Sequence, residues 1–298
     1  MGFGTRPARW LLAPATLAAV LLSSAGVAAP SKTFAIERPQ TLNGHPVGGQ
    51  LPIVTLRIGT DSYRFLFDTG ASEVVVNDSI ARQLGLLDIT PSKGSDSGGV
   101  AVKGRYVAGF DLATPDGMLL RHFDRVLTMP LGPLDTLGLA GVIGPQALAK
   151  DGCVHVDFGG GVATMARADA AACRPSARAS VEAAPGWRSD GRPHLMLRVG
   201  EGSVAVPFLV DSGAWRTSIP ASAATALPRL RTAQSRGVGG KIVTAEIVGP
   251  VSLTIGCIGR TLAEAALIPD RPAGVLGFDL LSRMTLIVHA DGGFSIGD

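Results

Sequence analysis

The chain reads Phe65-Leu66-Phe67-Asp68-Thr69-Gly70-Ala71 in its first half and Phe208-Leu209-Val210-Asp211-Ser212-Gly213-Ala214 in its second. In both stretches an apolar run typical of a buried β-strand is followed at once by an aspartate, a hydroxyl residue and a glycine. Glycine permits a tight turn directly after a strand, which would hold the carboxylate at the end of that strand. The pattern predicts two equivalent strand-turn units, each presenting one carboxylate.

A third copy of the tripeptide, Asp96-Ser97-Gly98, differs from these two in its surroundings. It follows Pro91-Ser92-Lys93-Gly94-Ser95, which has the composition of a loop, and no apolar run leads into it. Because Asp, Ser, Thr and Gly are common residues, such a tripeptide is expected by chance on the order of once in a few chains of this length. We therefore interpret the third copy as incidental.

The surroundings of the two main copies repeat in the same order, which indicates an internal duplication. Leu56-Arg57-Ile58-Gly59 precedes Asp68 as Leu197-Arg198-Val199-Gly200 precedes Asp211. Three further blocks match downstream, namely Gly98-Gly99 with Gly239-Gly240, Gly141–Leu148 with Gly274–Leu281, and the closing turns Asp157–Gly161 with Asp291–Gly293. Each half is therefore expected to form one lobe on the same plan.

The composition favours a turn-rich β protein, and together with the duplication the fold is predicted to be all-β and bilobal, with a closed or nearly closed barrel-like sheet in each lobe. Of the 298 residues 46% are hydrophobic and 17% charged, as in a well-buried globular protein, and 39 glycines and 20 prolines separate short apolar runs. Short helices are expected at Ser79–Leu84, ending at Gly85, and at Ala221–Ala226, ending before Pro228. The net charge of only +3, without a basic cluster interleaved with aromatics, gives no support for nucleic-acid binding.

Residues 1–29 have the features of a signal peptide. Basic residues at the start are followed by an apolar stretch, Trp10–Leu22, and by small residues over Ser23–Ala29. The alternative, an uncleaved membrane anchor, is disfavoured by Pro14 and by the short apolar core. The mature protein is therefore expected to be exported, periplasmic or secreted, without a stable membrane span.

The rest of the chain is divided by residues 169–190, which show no sustained period and are interpreted as an interlobe linker. The predicted lobes are residues 30–168 and 191–298.

Of the three cysteines, Cys153 and Cys173 could close a modest loop, and whether they pair is left open. Cys257 lies in an apolar stretch and is expected to be a buried free thiol.

The motifs resemble those of the retropepsin-like and pepsin-like aspartic proteases, and the resemblance covers nearly everything after the signal segment. Phe67-Asp68-Thr69-Gly70-Ala71-Ser72 is close to the catalytic motif of that family, especially in its retropepsin-like form. Val142-Ile143-Gly144 and Val275-Leu276-Gly277 resemble the hydrophobic-hydrophobic-Gly element that packs beside each catalytic loop. The resemblance implies a bacterial, internally duplicated member, which supplies both aspartates from one chain and is expected to be a monomer.

The resemblance also implies roles for the motif residues. Asp68 and Asp211 would share one proton, activate water and hydrolyse a peptide bond, without a metal or a cofactor. Thr69 and Ser212 would bond across to the opposite loop, while Gly70 and Gly213 form the turns. Because Ala71 and Ala214 lack the hydroxyl that pepsin-like enzymes often place there, a mildly acidic optimum is expected.

Further candidates for substrate binding are less closely tied to the motif. Gly98-Gly99 and Gly239-Gly240 fall where the family carries a β-hairpin flap, and Tyr106 lies in the first flap region. Trp215 would either form the wall of a substrate pocket or pack within its lobe. The five histidines are scattered without metal-ligand spacing. The expected partner is an extended peptide or protein substrate.

Two other functions fit the sequence less well. A serine protease with Ser97 as nucleophile would need a base histidine and an aspartate well upstream, and only His45 precedes it. A non-catalytic peptide-binding module of the same fold would have no need of both aspartates and both neighbouring hydroxyls. Substitution of Asp68 or Asp211 separates this module from an enzyme, because a binder keeps its affinity and an enzyme loses cleavage.

Overall fold

The computed structural model describes residues 31–95, 101–175, 181–182, 192–200, 204–224, 226–237, 239–240, 242–268 and 271–298. The predicted signal peptide, the third tripeptide with Gly99, and most of the predicted linker lie outside these residues. Strands make up 51% of the structure and helices 10%, so the prediction of an all-β protein with few helices is confirmed.

The elements follow one another in two similar series. The strands of the first half are β1 (Lys32–Ala35), β2 (Thr41–Leu42), β3 (His45–Pro46), β4 (Ile53–Ile58), β5 (Asp61–Phe67), β6 (Val74–Asn77), β7 (Asp88–Ser95), β8 (Ala101–Ala108), β9 (Asp111–Ala113), β10 (Leu119–His122), β11 (Arg125–Met129), β12 (Gly141–Ile143), β13 (Gly152–Asp157) and β14 (Val162–Arg167). Those of the second half are β15 (Val181–Glu182), β16 (His194–Val199), β17 (Val206–Val210), β18 (Ser218–Pro220), β19 (Arg229–Arg236), β20 (Ile242–Val248), β21 (Val251–Ile255), β22 (Ile258–Leu262), β23 (Ala265–Ile268), β24 (Gly274–Leu276), β25 (Thr285–His289) and β26 (Phe294–Gly297). The helices are α1 (Asp78–Gln83), α2 (Pro133–Thr136), α3 (Pro145–Leu148) and α4 (Phe278–Leu281), with single 3₁₀ turns at Ala171–Cys173 and Ala221–Ala223.

Two nine-stranded sheets, one in each lobe, have the same strand order. The first runs β10-β9-β4-β5-β12-β6-β11-β8-β7, and the second runs β22-β21-β16-β17-β24-β18-β23-β20-β19. The parallel pairs also correspond, since β5/β12 and β6/β11 match β17/β24 and β18/β23. Because the two sheets agree in strand order and direction over all nine strands, they indicate duplication of one unit. The bilobal fold predicted from the repeated motifs is confirmed.

The apolar runs before each aspartate are central strands of these sheets. β5 lies between β4 and β12, and β17 lies between β16 and β24. Their last three residues, Phe65–Phe67 and Phe208–Val210, are all buried. Because these strand ends are covered on both faces, they read as continuous apolar runs rather than alternating ones. Each aspartate therefore follows the buried end of a central strand.

A six-stranded sheet joins the two halves, and the sequence did not predict it. Its order is β1-β14-β13-β25-β26-β15, with β13 of the first half antiparallel to β25 of the second. One Gly-rich closing turn joins β13 to β14, and the other joins β25 to β26. Within the predicted linker, β15 pairs with β26 and extends this sheet.

The three cysteines are placed at two sites. Cys153 and Cys173 form a disulfide that ties the 3₁₀ turn at Ala171–Cys173 to β13. Cys257 is free, as predicted, but it is exposed, so the expected burial was wrong. It occupies the turn between β21 and β22, where Gly256 at a φ of 58° reverses the chain and the inward-outward alternation of the strand stops.

The two predicted helices have different outcomes. The first is confirmed as α1, with Asn77 Oδ1 accepting from the Ser79 N–H at 3.1 Å and Gly85 ending it at a φ of 65°. The second is only the 3₁₀ turn at Ala221–Ala223, which follows Pro220 and has no side-chain cap. Within the described part of the chain, none of the helices has the length and apolar character required to cross a membrane.

Candidate active site

The loops that follow β5 and β17 bring Asp68 and Asp211 together. The Asp68 N–H donates to the Ile143 carbonyl at 2.9 Å, and the Asp211 N–H donates to the Leu276 carbonyl at 3.0 Å. These acceptors end the neighbouring parallel strands β12 and β24. Both aspartates are therefore anchored at equivalent points of the two sheets.

Two buried hydroxyls connect the loops across the lobe boundary. Thr69 Oγ1 donates to the Val210 carbonyl at 2.8 Å and accepts from the Ser212 N–H at 2.9 Å. Ser212 Oγ donates to the Phe67 carbonyl at 2.7 Å and accepts from the Thr69 N–H at 3.0 Å. Because both hydroxyls are fully buried and each makes both bonds to the opposite lobe, neither loop can shift alone without breaking them.

The glycines of the two motifs face the aspartates of the opposite lobes. A β-carbon on Gly70 would lie 2.8 Å from Asp211 Cγ, and one on Gly213 would lie 2.6 Å from Asp68 Cγ. Carbon atoms do not approach so closely without bonding, so only glycine permits this arrangement. Each carboxyl thus packs against the backbone of the other loop.

The pKa of Asp68 is raised well above its ordinary value. Burial is the largest cause, followed by the charge of Asp211 and a hydrogen bond between the two side chains. Bonds from the Gly70 N–H, at 2.7 Å, and from the Gly213 N–H act in the opposite direction. Asp211 is only 3% exposed and accepts from the Ala214 N–H at 3.0 Å. Two carboxyls that hydrogen-bond to each other do not both ionise readily, so the pair is suited to hold one shared proton.

A family model described as aspartyl protease matches residues 39–116 and 195–280, together more than half of the chain. The chain belongs to the aspartyl protease family. Each matched segment contains one of the two aspartates, so the double match reflects the same duplication as the two sheets. The family predicted from the motifs is confirmed. No curated protein matches the chain.

The hydrophobic-hydrophobic-Gly elements of this aspartyl protease lie directly under the two loops. A β-carbon on Gly144 would lie 1.8 Å from the Ala71 carbonyl oxygen, and one on Gly277 would lie 2.4 Å from the Arg216 carbonyl carbon. The Phe278 N–H also donates to the Ala214 carbonyl at 2.7 Å. The glycines therefore allow each loop to rest on the strand end beside it.

Two polar residues beside the loops were missed by sequence reasoning. Gln146 Nε2 donates to the Thr69 carbonyl at 2.7 Å. Asp279 Oδ1 accepts from the N–H and the hydroxyl of Thr217 at 2.9 and 2.7 Å. Gln146 and Asp279 each follow the glycine of their element by two residues, so the internal repeat could have pointed to both.

The hairpins β7/β8 and β19/β20, where the sequence predicted flaps, occupy equivalent edge positions in the two sheets. Gly98 and Gly99 lie outside the described residues, and Gly239 and Gly240 lie at the tip of the second hairpin, where Gly240 has a φ of 77°. Tyr106 lies in the body of β8 rather than at a tip. Its hydroxyl donates to the Glu73 carboxylate at 3.0 Å, which ties the first hairpin to the loop after Asp68.

Trp215 lies at the lobe boundary and is half exposed. It lines a cavity of about 270 Å³ whose walls include Gln50 from the first lobe and Leu262, Glu264 and Asp279 from the second. The Arg216 guanidinium lies 5.7 Å from the centre of the indole ring. Trp215 therefore lines a cavity instead of packing wholly within its lobe. Within the described ranges, no cluster of three or more His, Cys, Asp or Glu side chains is placed to hold a metal ion.

Proposed function

We propose that this aspartyl protease is an endopeptidase that hydrolyses an extended peptide by means of Asp68 and Asp211. The observation that carries the proposal is the reciprocal contact of each aspartate with the glycine of the opposite loop. The hydroxyls of Thr69 and Ser212 hold that contact. Preorganised groups of this kind avoid reorganisation when the reaction begins, which is a large part of enzymatic rate enhancement.

In the proposed mechanism Asp68 carries the shared proton, since its pKa is raised by burial and by the neighbouring charge. The ionised Asp211 takes a proton from a water molecule as the water oxygen attacks the peptide carbonyl carbon. Asp68 donates its proton to the carbonyl oxygen, which gives a neutral tetrahedral intermediate. Asp211 then returns its proton to the departing amine, the C–N bond breaks, and Asp68 recovers a proton from the intermediate.

The two-lobed architecture favours an extended peptide as substrate. The dyad lies where the lobes meet, and a flap-like hairpin of each lobe, β7/β8 and β19/β20, forms the last two strands at one edge of its sheet. An extended peptide can bond to backbone groups as an added strand, while side pockets select its side chains. Trp215 and the cavity beside it are proposed as one such pocket.

We further propose that the protein acts as an exported monomer. The composition of residues 1–29 supports export. One chain supplies both aspartates, so the site is complete without a partner subunit.

The test compares wild type with Asp68→Asn and Asp211→Asn on a denatured protein, from about pH 3 to about pH 8, with products identified by mass spectrometry. Cleavage by wild type that resists chelators and serine-directed reagents, and is absent in both variants, supports the proposal. If wild type cleaves nothing and Asp211→Asn binds peptides as well as wild type does, the protein is a peptide-binding module instead.

A further inference from the structure

Gln146 reaches from the start of α3 back to the first catalytic loop. Its side-chain amide donates through Nε2 to the Thr69 carbonyl oxygen at 2.7 Å. Because a carbonyl oxygen can only accept, this contact fixes which end of the amide faces the loop. Gln146 therefore holds the backbone of Thr69 at a point one residue beyond Asp68.

The bonded carbonyl belongs to the same peptide group as the Gly70 N–H. That N–H donates to Asp68 Oδ1 at 2.7 Å. A single peptide plane thus accepts from Gln146 on one side and donates to Asp68 on the other. Hydrogen bonds in series polarise one another, so the first bond strengthens the second as well as orienting it.

The other end of the Gln146 amide is placed unfavourably. Its Oε1 is buried and has no hydrogen-bond partner among the described residues. It lies 2.9 Å from where a β-carbon on Gly144 would be. Since an unpaired buried acceptor is unfavourable, packing alone would favour an apolar side chain at this position. The glutamine at this position is therefore explained by the hydrogen bond that its Nε2 donates to the Thr69 carbonyl.

Among the described residues of the second lobe, no side chain makes the equivalent connection. Asp279 occupies the corresponding position, but its Oδ1 accepts from Thr217 rather than contacting the Ser212–Gly213 peptide. The support that Gln146 provides is therefore confined to the Asp68 side of the dyad.

We propose that Gln146 is a positioning residue for Asp68. It holds the Thr69–Gly70 peptide so that the Gly70 N–H stays on Oδ1 and stabilises the ionised form of Asp68. The inference rests on the proposed function of Asp68 and Asp211. It adds that a residue of the first lobe controls how readily the pair loses its last proton. Loss of the amide donor is expected to make Asp68 harder to ionise and less well oriented.

The first test measures kcat/KM against pH for wild type, Gln146→Met and the control Gln83→Met, which makes the same change on the exposed face of α1. In Gln146→Met we expect the high-pH limb to move up by roughly half a unit to one unit. We expect the maximum to fall about tenfold. Thermal stability should change little, because removing the unpaired Oε1 offsets the lost bond to Thr69. Gln146→Leu repeats the test if the methionine variant does not fold.

A second readout does not depend on turnover. The Asp68 carboxyl carbon is titrated by ¹³C NMR in aspartate-labelled protein without substrate, with Asp68→Asn providing the assignment. A higher titration midpoint in Gln146→Met supports the inference, and it does so even if wild type cleaves no peptide, in which case only the proposed function fails. If wild type cleaves peptides but neither the midpoint nor the high-pH limb moves in the variant, the inference is wrong and Gln146 has a structural role only.

Discussion

Gly213 lies so close to Asp68 that a β-carbon on the glycine would be 2.6 Å from Cγ of the aspartate. Gly70 stands in the same relation to Asp211, at 2.8 Å. The geometry of the dyad is therefore a property of the contact between the two loops and belongs to neither lobe alone.

Alanine at either glycine should abolish cleavage, because the added methyl group would push the opposite carboxyl away. We expect Gly70→Ala and Gly213→Ala each to lower kcat/KM by about 100-fold or more, while circular dichroism shows an intact fold. Gly259→Ala is the matched control, since a β-carbon there meets no atom within 4 Å. Wild-type activity in Gly213→Ala would contradict the assigned contact.

Removal of a bridging hydroxyl should destabilise the whole molecule. Thr69→Ala leaves the Ser212 N–H and the Val210 carbonyl buried without their partner, so unfolding by urea should show a loss of about 2–4 kcal/mol. Thr69→Ser keeps the hydroxyl and should lose only about 1 kcal/mol for the missing methyl group. Equal losses in the two variants would show that the hydroxyl bonds do not hold the lobes together.

The raised pKa of Asp68 makes stability depend on pH with a definite sign. Because the folded state binds this proton more tightly than the unfolded state, the stabilisation is complete below the ordinary value of 3.8 and is lost as the pH rises through the folded pKa. Asp68→Asn removes this loss. Its melting temperature should equal that of wild type at about pH 3 and exceed it by a few degrees at about pH 8.

An equal melting temperature at both pH values, or a less stable variant at the higher one, would contradict the predicted proton sharing. Asp116→Asn serves as the control, since that carboxyl lies at the surface and its pKa is lowered, chiefly by the hydroxyl of Thr114. A lowered pKa stabilises the folded state at the higher pH, so this variant should not exceed wild type in melting temperature there.

The disulfide between Cys153 and Cys173 should stabilise the sheet that joins the lobes. We expect the Cys153→Ala/Cys173→Ala double variant to lose about 2–4 kcal/mol in urea unfolding. Cys257→Ser changes an exposed free thiol and should be nearly neutral. Mass spectrometry after alkylation of the native protein should show one modified cysteine, and three labels would contradict the assignment.

The strand-turn units and the duplication could be predicted because they depend on local order along the chain. Phe65–Phe67 with the aspartate and glycine that follow marks a buried strand and a turn, and Gly85 marks the end of α1. The joining sheet could not be predicted, since the register of β13 on β25 is decided by tertiary packing over a long sequence separation. Cys257 was misplaced because an apolar stretch does not reveal where its hairpin turns.

The position of Gln146 shows a further limit. Its side chain acts on a backbone carbonyl far along the chain, and no local pattern marks that contact. Only comparison of the repeated elements, residue by residue, would have raised it as a candidate.

Catalysis by the Asp68/Asp211 pair is tested by measuring kcat/KM against pH for one cleaved peptide, in wild type, Asp68→Asn and Asp211→Asn. We predict a bell-shaped profile with its maximum in the mildly acidic range, and no cleavage by either variant. Cleavage that persists in Asp211→Asn, or a wild-type profile that peaks below about pH 3, would contradict it.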